Sequence, residues 1–471
     1  MGTRERSGPS AGTVGRRLSL VLVAVMIGSA SVLGIVAAVG ASPARRAAAA
    51  PGAKTYAVGV HTETFVDPDR TTKANGAIPE QPDRSLATTI FYPAVGTPGA
   101  APATDPPVVD APPARDDGPF PLIVFGHGFG ASPDVYAGLL RSWAAAGYVV
   151  AAPRFPLTNS DTVGGIDAGD FQHQPGDMSF VITSMLQASE GDTVPVAGLV
   201  ARHGIGVAGH SLGGITTLGI AAHTCCQDAR VKAAVVLSGD PLSFPTGKFD
   251  FARAPPILLV HGTADDLVAY GAGVDVFNRA KSPKGLVTIT DGDHGAPVNP
   301  AGPAFASVVR ATTDFFDAYL QGNRSARVRI ASDGEQGVTS VRFVSKPGAH
   351  VTIATQPKQV RDLSATVTPR TGLTNGQVVT VKWSRFTPGA TINIVQCSSH
   401  VPGDAAACDI KAGLILRPNP TGSGSLPLQI IVGPVGTGIC NATHPVCDVV
   451  VNDGGSLDPA ASLRIRIKFA P

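Results

Sequence analysis

Charge is scarce in this chain of 471 residues: 15% are Asp, Glu, Lys or Arg, against 43% hydrophobic residues. That balance excludes disorder throughout, which needs low hydrophobicity and high net charge. Neither sign is in excess, with 37 Lys and Arg against 35 Asp and Glu. Four of the basic residues, Arg4, Arg6, Arg16 and Arg17, crowd the N-terminus against Glu5 alone. The remainder carries no basic stripe to track phosphates, which excludes nucleic acid as a partner. Cysteine is limited to six residues. No His or Cys completes a four-ligand set at finger-like spacing around them, so no metal site is expected.

Glycine (55) and proline (40) are abundant, which fits a globular chain rich in turns, and the length suits two to three domains. After the N-terminal arginines comes an apolar run, Leu18 to Gly40, then small residues around Val39-Gly40-Ala41 and Ala47 to Ala50. This is an export signal. Arg16-Arg17 suits the twin-arginine route or any basic n-region, and the run is long enough to span a bilayer. Residues 1–50 are therefore read as an export signal or a membrane anchor, with the rest secreted or extracytoplasmic. Export makes disulfides durable. The cysteines fall in close pairs, and Cys397 with Cys408 and Cys440 with Cys447 are expected to bridge. Cys225-Cys226 is left open between a bridge and two free thiols.

From Phe120 strand-like and helix-like segments alternate. Pro121 to Gly126 is a continuous apolar run suited to a strand buried on both faces. Ser132-Pro133 opens a helix that runs through Leu139, Leu140 and Trp143 to a stop at Gly147. Strands are expected at Tyr148–Ala152, Gly204–Ala208, Ala233–Leu237, Pro256–Val260 and Leu286–Thr290, and helices at Met178–Leu186, Gly213–Ala222 and Ala304–Leu320. Crossovers of that length join parallel strands, so the fold class is α/β with a mainly parallel sheet and helices on both faces. Thr55–Thr62 and Leu86–Tyr92 read as antiparallel strands on one edge, and 94–119 as a surface loop. Beyond residue 325 short β-branched runs take over, with Asn375-Gly376 as a hairpin signal between two of them. The last part, without a glutamate after residue 361, reads as an all-β sandwich. The expected division is 1–50 signal or anchor, 51–325 α/β catalytic domain, 326–362 connection and 363–471 sandwich.

Gly209-His210-Ser211-Leu212-Gly213 follows an apolar strand and opens a helix, the strand-turn-helix setting of a nucleophile elbow. A serine hydroxyl needs a base within reach and a third group to fix the base's tautomer. His261-Gly262-Thr263-Ala264-Asp265-Asp266 and Asp291-Gly292-Asp293-His294-Gly295 each follow a later strand. Both lie at the carboxyl edge that carries the elbow. Ser211, Asp265 and His294 are thus expected as nucleophile, acid and base, in the Ser, Asp, His chain order of α/β-hydrolases. Asp265 is preferred to Asp266. His294 is preferred to His210, read as directed elsewhere, and to His261, read as packed in its turn. Asp293 is read as a solvated loop residue or local cap. In this fold the loop Gly126-His127-Gly128-Phe129-Gly130 supplies one oxyanion amide, so Phe129 and Leu212 are the expected donors and His127 holds the loop.

Residues 54–322 resemble the α/β-hydrolases, nearest the dienelactone hydrolase-like, platelet-activating-factor acetylhydrolase-like and chlorophyllase-like esterases. The resemblance rests on the His127–Gly130 loop, the elbow, Gly262–Asp265, Asp293-His294 and the helix start Pro175–Ile182. Related bacterial polyester hydrolases place Trp and Pro where this chain has His210 and His127, which argues against a polyester substrate. Residues 363–471 are similar to the neocarzinostatin apoproteins, through Ala365–Pro369, Gly372–Gly376, Phe386–Gly389 and Val395–Cys397. That resemblance implies an immunoglobulin-like β-sandwich with two short-loop disulfides; several relatives hold an enediyne chromophore, and here an accessory or surface-attachment module is expected.

The expected activity is a secreted serine esterase working through an acyl-enzyme on a small-molecule or lipid-like ester, without a cofactor. Two alternatives stand beside it: an acyltransferase using the same triad, and a binding protein whose sandwich captures an apolar ligand or a surface.

Overall fold

The computed structural model describes residues 54–471 except 192–194, 266, 282, 347–351, 354–362, 387–391, 401–406, 410–413, 417–421, 437, 445 and 454–461. The expected export segment and Asp266 lie outside the described residues. No helix among the described residues is long and apolar enough to cross a membrane.

Strands β1 (Ala57–Asp67), β2 (Arg84–Ala94), β3 (Val108–Val109), β4 (Phe120–Gly126), β5 (Val149–Pro153), β6 (Val200–His210), β7 (Val231–Leu237), β8 (Ile257–Gly262), β9 (Lys284–Ile289) and β10 (Thr339–Val344) form one sheet. Its order is β10-β9-β8-β7-β6-β4-β5-β2-β1-β3. The central strands from β5 to β9 pair in parallel. β1 and β2 add antiparallel strands at one side, and β10 adds one beyond β9. β10 falls in the stretch expected to connect the two parts, and its register against β9 makes it part of this sheet. The fold is α/β with a mainly parallel sheet.

Side chains alternate across the strands and sort into two cores. Leu122 and Val124 of β4 join one core with Met178, Val181 and Met185 of helix α2 (Gln174–Glu190 follows α1, Ala137–Ala145) and Leu218 of α3 (Leu212–Ala222). Ile123 and Phe125 face the other, with Leu140 and Trp143 of α1. Val274 and Phe277 of α4 (Tyr270–Arg279) fall in the first core, while Val308 and Phe315 of α5 (Phe305–Leu320) fall in the second, beside Ala326 of the short α6 (Arg324–Arg329). Each such buried Leu, Val or Phe is worth about 1.5–3 kcal/mol relative to exposure. The sequence pattern did not mark α4, because Gly271 and Gly273 depress helix propensity. Gly273 is there for space: a Cβ on it would lie 2.8 Å from His261 Nδ1.

The C-terminal part is all β. Strands β11 (Ser364–Thr368), β12 (Val378–Ser384) and β15 (Gly424–Gln429) form one sheet, and β14 (Leu414–Leu416), β13 (Ile392–Cys397), β18 (Cys447–Asp453) and β19 (Ser462–Ile467) a second. A small hairpin pairs β16 (Gly433–Val435) with β17 (Gly438–Cys440). Val379, Val381 and Trp383 alternate inward from β12 to meet Ile394, Val449 and Ile467. Cys397 is bonded to Cys408 and Cys440 to Cys447. β11 and β12 pair as expected of a hairpin, but the connection is longer than Asn375-Gly376 alone. Leu373, 1% exposed, is drawn into the core and bridges to Phe469, which lengthens the loop.

Candidate active site

The sheet brings the carboxyl ends of β4, β6, β7, β8 and β9 side by side, and the expected site residues follow four of these ends. Ser211 sits between β6 and α3 at φ 56° and ψ −120°, a conformation rare for a residue with a Cβ. The turn is over-determined. Its amide donates to Leu237 O at 2.9 Å, and Ile215 N–H returns to Ser211 O at 3.0 Å. Although Ser211 occupies the N-cap position, its hydroxyl does not cap the helix. The elbow glycines allow the neighbouring backbones to approach: a Cβ on Gly213 would lie 1.9 Å from Gly126 O.

His294 and Asp265 meet across the ends of β9 and β8. His294 Nδ1–H donates to the Asp265 carboxylate, at 2.8 Å to Oδ2 and 3.0 Å to Oδ1. The Asp265 side chain is fully buried, whereas that of His294 is 14% exposed. Asp265 also accepts the Leu267 and Val268 amides at 3.0 and 2.8 Å, with His261 Nε2 3.3 Å away. Burial pushes the carboxyl up, but the bonds from His261, His294 and the Val268 amide outweigh it and hold Asp265 well below the usual carboxylate range. The aspartate is therefore an ionised acceptor that fixes the imidazole tautomer, leaving Nε2 of His294 as the face open to a proton. Asp293 is exposed.

The other histidines are held in structural bonds. His261 Nε2–H donates to Val268 O at 2.8 Å, which pins the turn after β8. His127 Nδ1–H donates to Gly128 O at 2.8 Å and its Nε2 accepts Phe155 N–H at 3.0 Å, so it clamps the loop after β4. Burial pushes His127 down to about 4. His210 is not turned away from the site: its ring packs 4.8 Å from that of His294, and its Nε2–H donates to the His294 carbonyl at 2.8 Å. Burial, with help from His294, lowers it to about 4 as well.

In the loop after β4, Gly128 N–H donates to Tyr136 Oη at 3.0 Å and Gly130 N–H to Thr158 O at 2.9 Å. No acceptor among the described residues takes the Phe129 N–H between them. Leu212 opens α3, so its N–H is one of the first-turn amides a helix leaves without an internal acceptor. Both expected oxyanion donors thus belong to fixed backbone. Behind Leu212 lies an apolar cluster of Phe171, Ile215 and Phe244, with Phe171 and Phe244 rings 5.4 Å apart. The Phe129 side chain is 40% exposed.

Among the described residues one cation-ligating group occurs, His223 with Cys225 and Cys226, whose donor atoms lie within 4.8 Å of one another. Cys225 and Cys226 are bonded to each other, and His223 Nδ1 accepts the Cys225 N–H at 3.3 Å.

The geometry is a strained serine at a strand-to-helix turn and a histidine–aspartate pair at the same carboxyl edge of an α/β sheet. Comparison with known proteins finds matches in two separate regions. The chlorophyllase family model matches residues 93–265, and the neocarzinostatin family model matches residues 365–463. Macromomycin from Streptomyces macromomyceticus is 34% identical over 109 residues, 20% of this chain and 74% of that protein. Through its C-terminal region the chain belongs to the neocarzinostatin family, and its α/β region is similar to the chlorophyllase family over residues 93–265. A solved ferulic acid esterase from Streptomyces cinnamoneus superposes at a TM-score of 0.43 with 22% identity, covering 60% of this chain and 93% of the esterase.

Proposed function

We propose that the chain is a secreted serine hydrolase of carboxylic esters, with Ser211 as nucleophile, His294 as base and Asp265 as the acid that orients it. The observation that carries this reading is the buried Asp265 carboxylate gripping His294 Nδ1 at 2.8 and 3.0 Å on the edge that presents the strained Ser211. His294 takes the Ser211 proton as Oγ attacks the ester carbonyl. The Phe129 and Leu212 amides receive the oxyanion, which forms in a place where its donors need no reorganisation. His294 then returns the proton to the leaving alcohol, and a water activated by the same imidazole releases the acid. The exposed apolar side chain of Phe129 favours esters with an apolar substituent.

Secretion is supported by the arginine-flanked apolar run and by three disulfides. The test is turnover of p-nitrophenyl esters of increasing chain length by the full chain and by Ser211→Ala. Loss on the order of a thousandfold or more is expected in the variant with an unchanged melting temperature. Near-normal turnover would end the assignment, and product appearing as a new ester in the presence of an added alcohol would turn it toward acyl transfer.

A further inference from the structure

We propose that Tyr136 and His210 form a positioning relay that locks the oxyanion loop to the backbone of the base, a proposal that rests on the serine-hydrolase reading above. The relay consists of three hydrogen bonds in series. Gly128 N–H donates to Tyr136 Oη at 3.0 Å, Tyr136 lies 3.2 Å from His210 Nδ1, and His210 Nε2 lies 2.8 Å from the His294 carbonyl oxygen.

The chemistry of the two ends fixes the direction of every bond. A carbonyl only accepts, so His210 must carry its proton on Nε2. An amide only donates, so the Tyr136 oxygen must accept from Gly128. The neutral imidazole then has a bare Nδ1, and the phenol has one unspent proton for it. With both groups neutral, no other arrangement of protons satisfies both ends. Burial keeps both groups in the required form, raising Tyr136 to about 12 and lowering His210 to about 4. Both side chains are nearly inaccessible, Tyr136 at 3% and His210 at 6%. In such surroundings an unmade hydrogen bond is costly and a series of made ones is mutually strengthening.

The relay's placement gives it a role in catalysis. Gly128 immediately precedes Phe129, and a Cβ built on Gly128 would lie 2.8 Å from Tyr136 Oη and 3.3 Å from Ser211 Cβ. The first bond therefore sets the peptide beside the oxyanion amide, and the last sets the main chain that carries the base. The His294 carbonyl is held from a second side by Ser238 Oγ–H at 3.2 Å. His210 precedes Ser211 directly, so donor loop, nucleophile and base are referred to one buried pair.

The full chain is assayed on p-nitrophenyl butyrate as wild type, Tyr136→Phe and Ser211→Ala, with melting temperatures recorded. In Tyr136→Phe, kcat is expected to fall about tenfold to a hundredfold with KM within about twofold, because a misplacement well under 1 Å weakens only transition-state contacts. A merely structural tyrosine would lower the melting temperature and leave kcat alone. Wild-type kcat in Tyr136→Phe beside an inactive Ser211→Ala overturns the relay and leaves the serine reading standing. An active Ser211→Ala overturns both. A second measurement uses wild-type protein labelled with 15N at histidine, the His210 ring being assigned through its contact with the Tyr136 ring. Protonated Nε2 with bare Nδ1 supports the hydrogen bonds of the relay even where Tyr136→Phe fails to fold, wild-type kcat in a folded Tyr136→Phe still overturns its catalytic role, and the opposite tautomer overturns the relay outright.

Discussion

Replacing Gly213 by alanine tests whether the nucleophile helix and the oxyanion loop are set by direct backbone contact. A Cβ at Gly213 would lie 1.9 Å from Gly126 O, 2.4 Å from Gly126 C and 2.8 Å from His127 O, whereas Cβ atoms essentially never come within 3.0 Å of another atom. All three obstacles are backbone, so no side chain can swing aside, and the helix and loop must part by about 1 Å. Overpacking of this kind costs roughly 1–3 kcal/mol, a drop in melting temperature of about 3–10 °C for a domain of this size. The same 1 Å falls between the Phe129 and Leu212 amides, and a displacement of that size costs about a hundredfold in rate. Gly271→Ala is the control. It also lies in a helix, but nothing stands within 4 Å of its Cβ, so the better helix former should be neutral or stabilising by up to about 1 kcal/mol. Circular dichroism melts and kcat/KM for p-nitrophenyl acetate are compared for the two. If Gly213→Ala matches Gly271→Ala in both, the proposed contact does not set the site.

Asp265→Asn should lower kcat on the order of a thousandfold or more with little change in KM, since an amide cannot accept the four donors now converging on the carboxylate; a loss under about tenfold on a p-nitrophenyl ester would refute its role. Asp333 is buried, and that burial together with the Asp314 charge raises it to about 7. A carboxyl raised in the folded state favours folding at low pH and loses that contribution as pH climbs from about 4 through about 7, up to roughly 4 kcal/mol. Asp333→Asn should therefore raise the melting temperature at pH 8 and not at pH 4, and an equal change at both would refute the linkage. Arg84, 1% exposed, donates to Asp170 and Asp177, with its closest contacts at 2.7 and 2.6 Å. Arg84→Met leaves the buried Asp170 without its cation and Asp177 with Arg70 alone, 2.8 Å away, and should cost about 3–5 kcal/mol in urea unfolding; a loss under about 1 kcal/mol would show that Arg84 is not needed.

What the sequence made legible was local. The central strands, α2, α3 and α5 carry their own periodicity, and the G-x-S-x-G segment announces a turn because glycines flank a serine between an apolar strand and a helix. The region identified by resemblance as a helix start, Pro175 to Ile182, is the first half of α2. The residues that proved hard to read act over long separations. Arg84 and Asp177 are 93 positions apart, and neither lies in a pattern that marks it as buried. Tyr136 looks like an ordinary aromatic residue in a helix start, and its hydroxyl finds partners only when the sheet sets β4 beside β6. The length of the β11–β12 connection was hidden for a similar reason, since Leu373 is placed by its contact with the chain end and not by its neighbours.

His127, His210, His261 and His294 all lie at the same edge of the sheet, so residue type and location do not decide which is the base. Hydrogen bonding singles out one of them for the proposed role. His127 has both ring nitrogens engaged by backbone, one donating and one accepting. His210 is engaged at both by Tyr136 and the His294 carbonyl. His261 spends Nε2 on Val268 O and is 1% exposed. Only His294 has a carboxylate on Nδ1, a partner that stabilises the imidazolium formed when a proton is taken, together with partial exposure of its ring. The three buried rings fix the loops that carry Phe129, His294 and Asp265, and His127 and His210, both lowered by burial, suit that work because a neutral imidazole donates at one nitrogen and accepts at the other. The placement of His127 and His210, where polyester hydrolases carry Pro and Trp, then follows from how this edge is held together: polar bonds tie loops here, and ring packing supplements them.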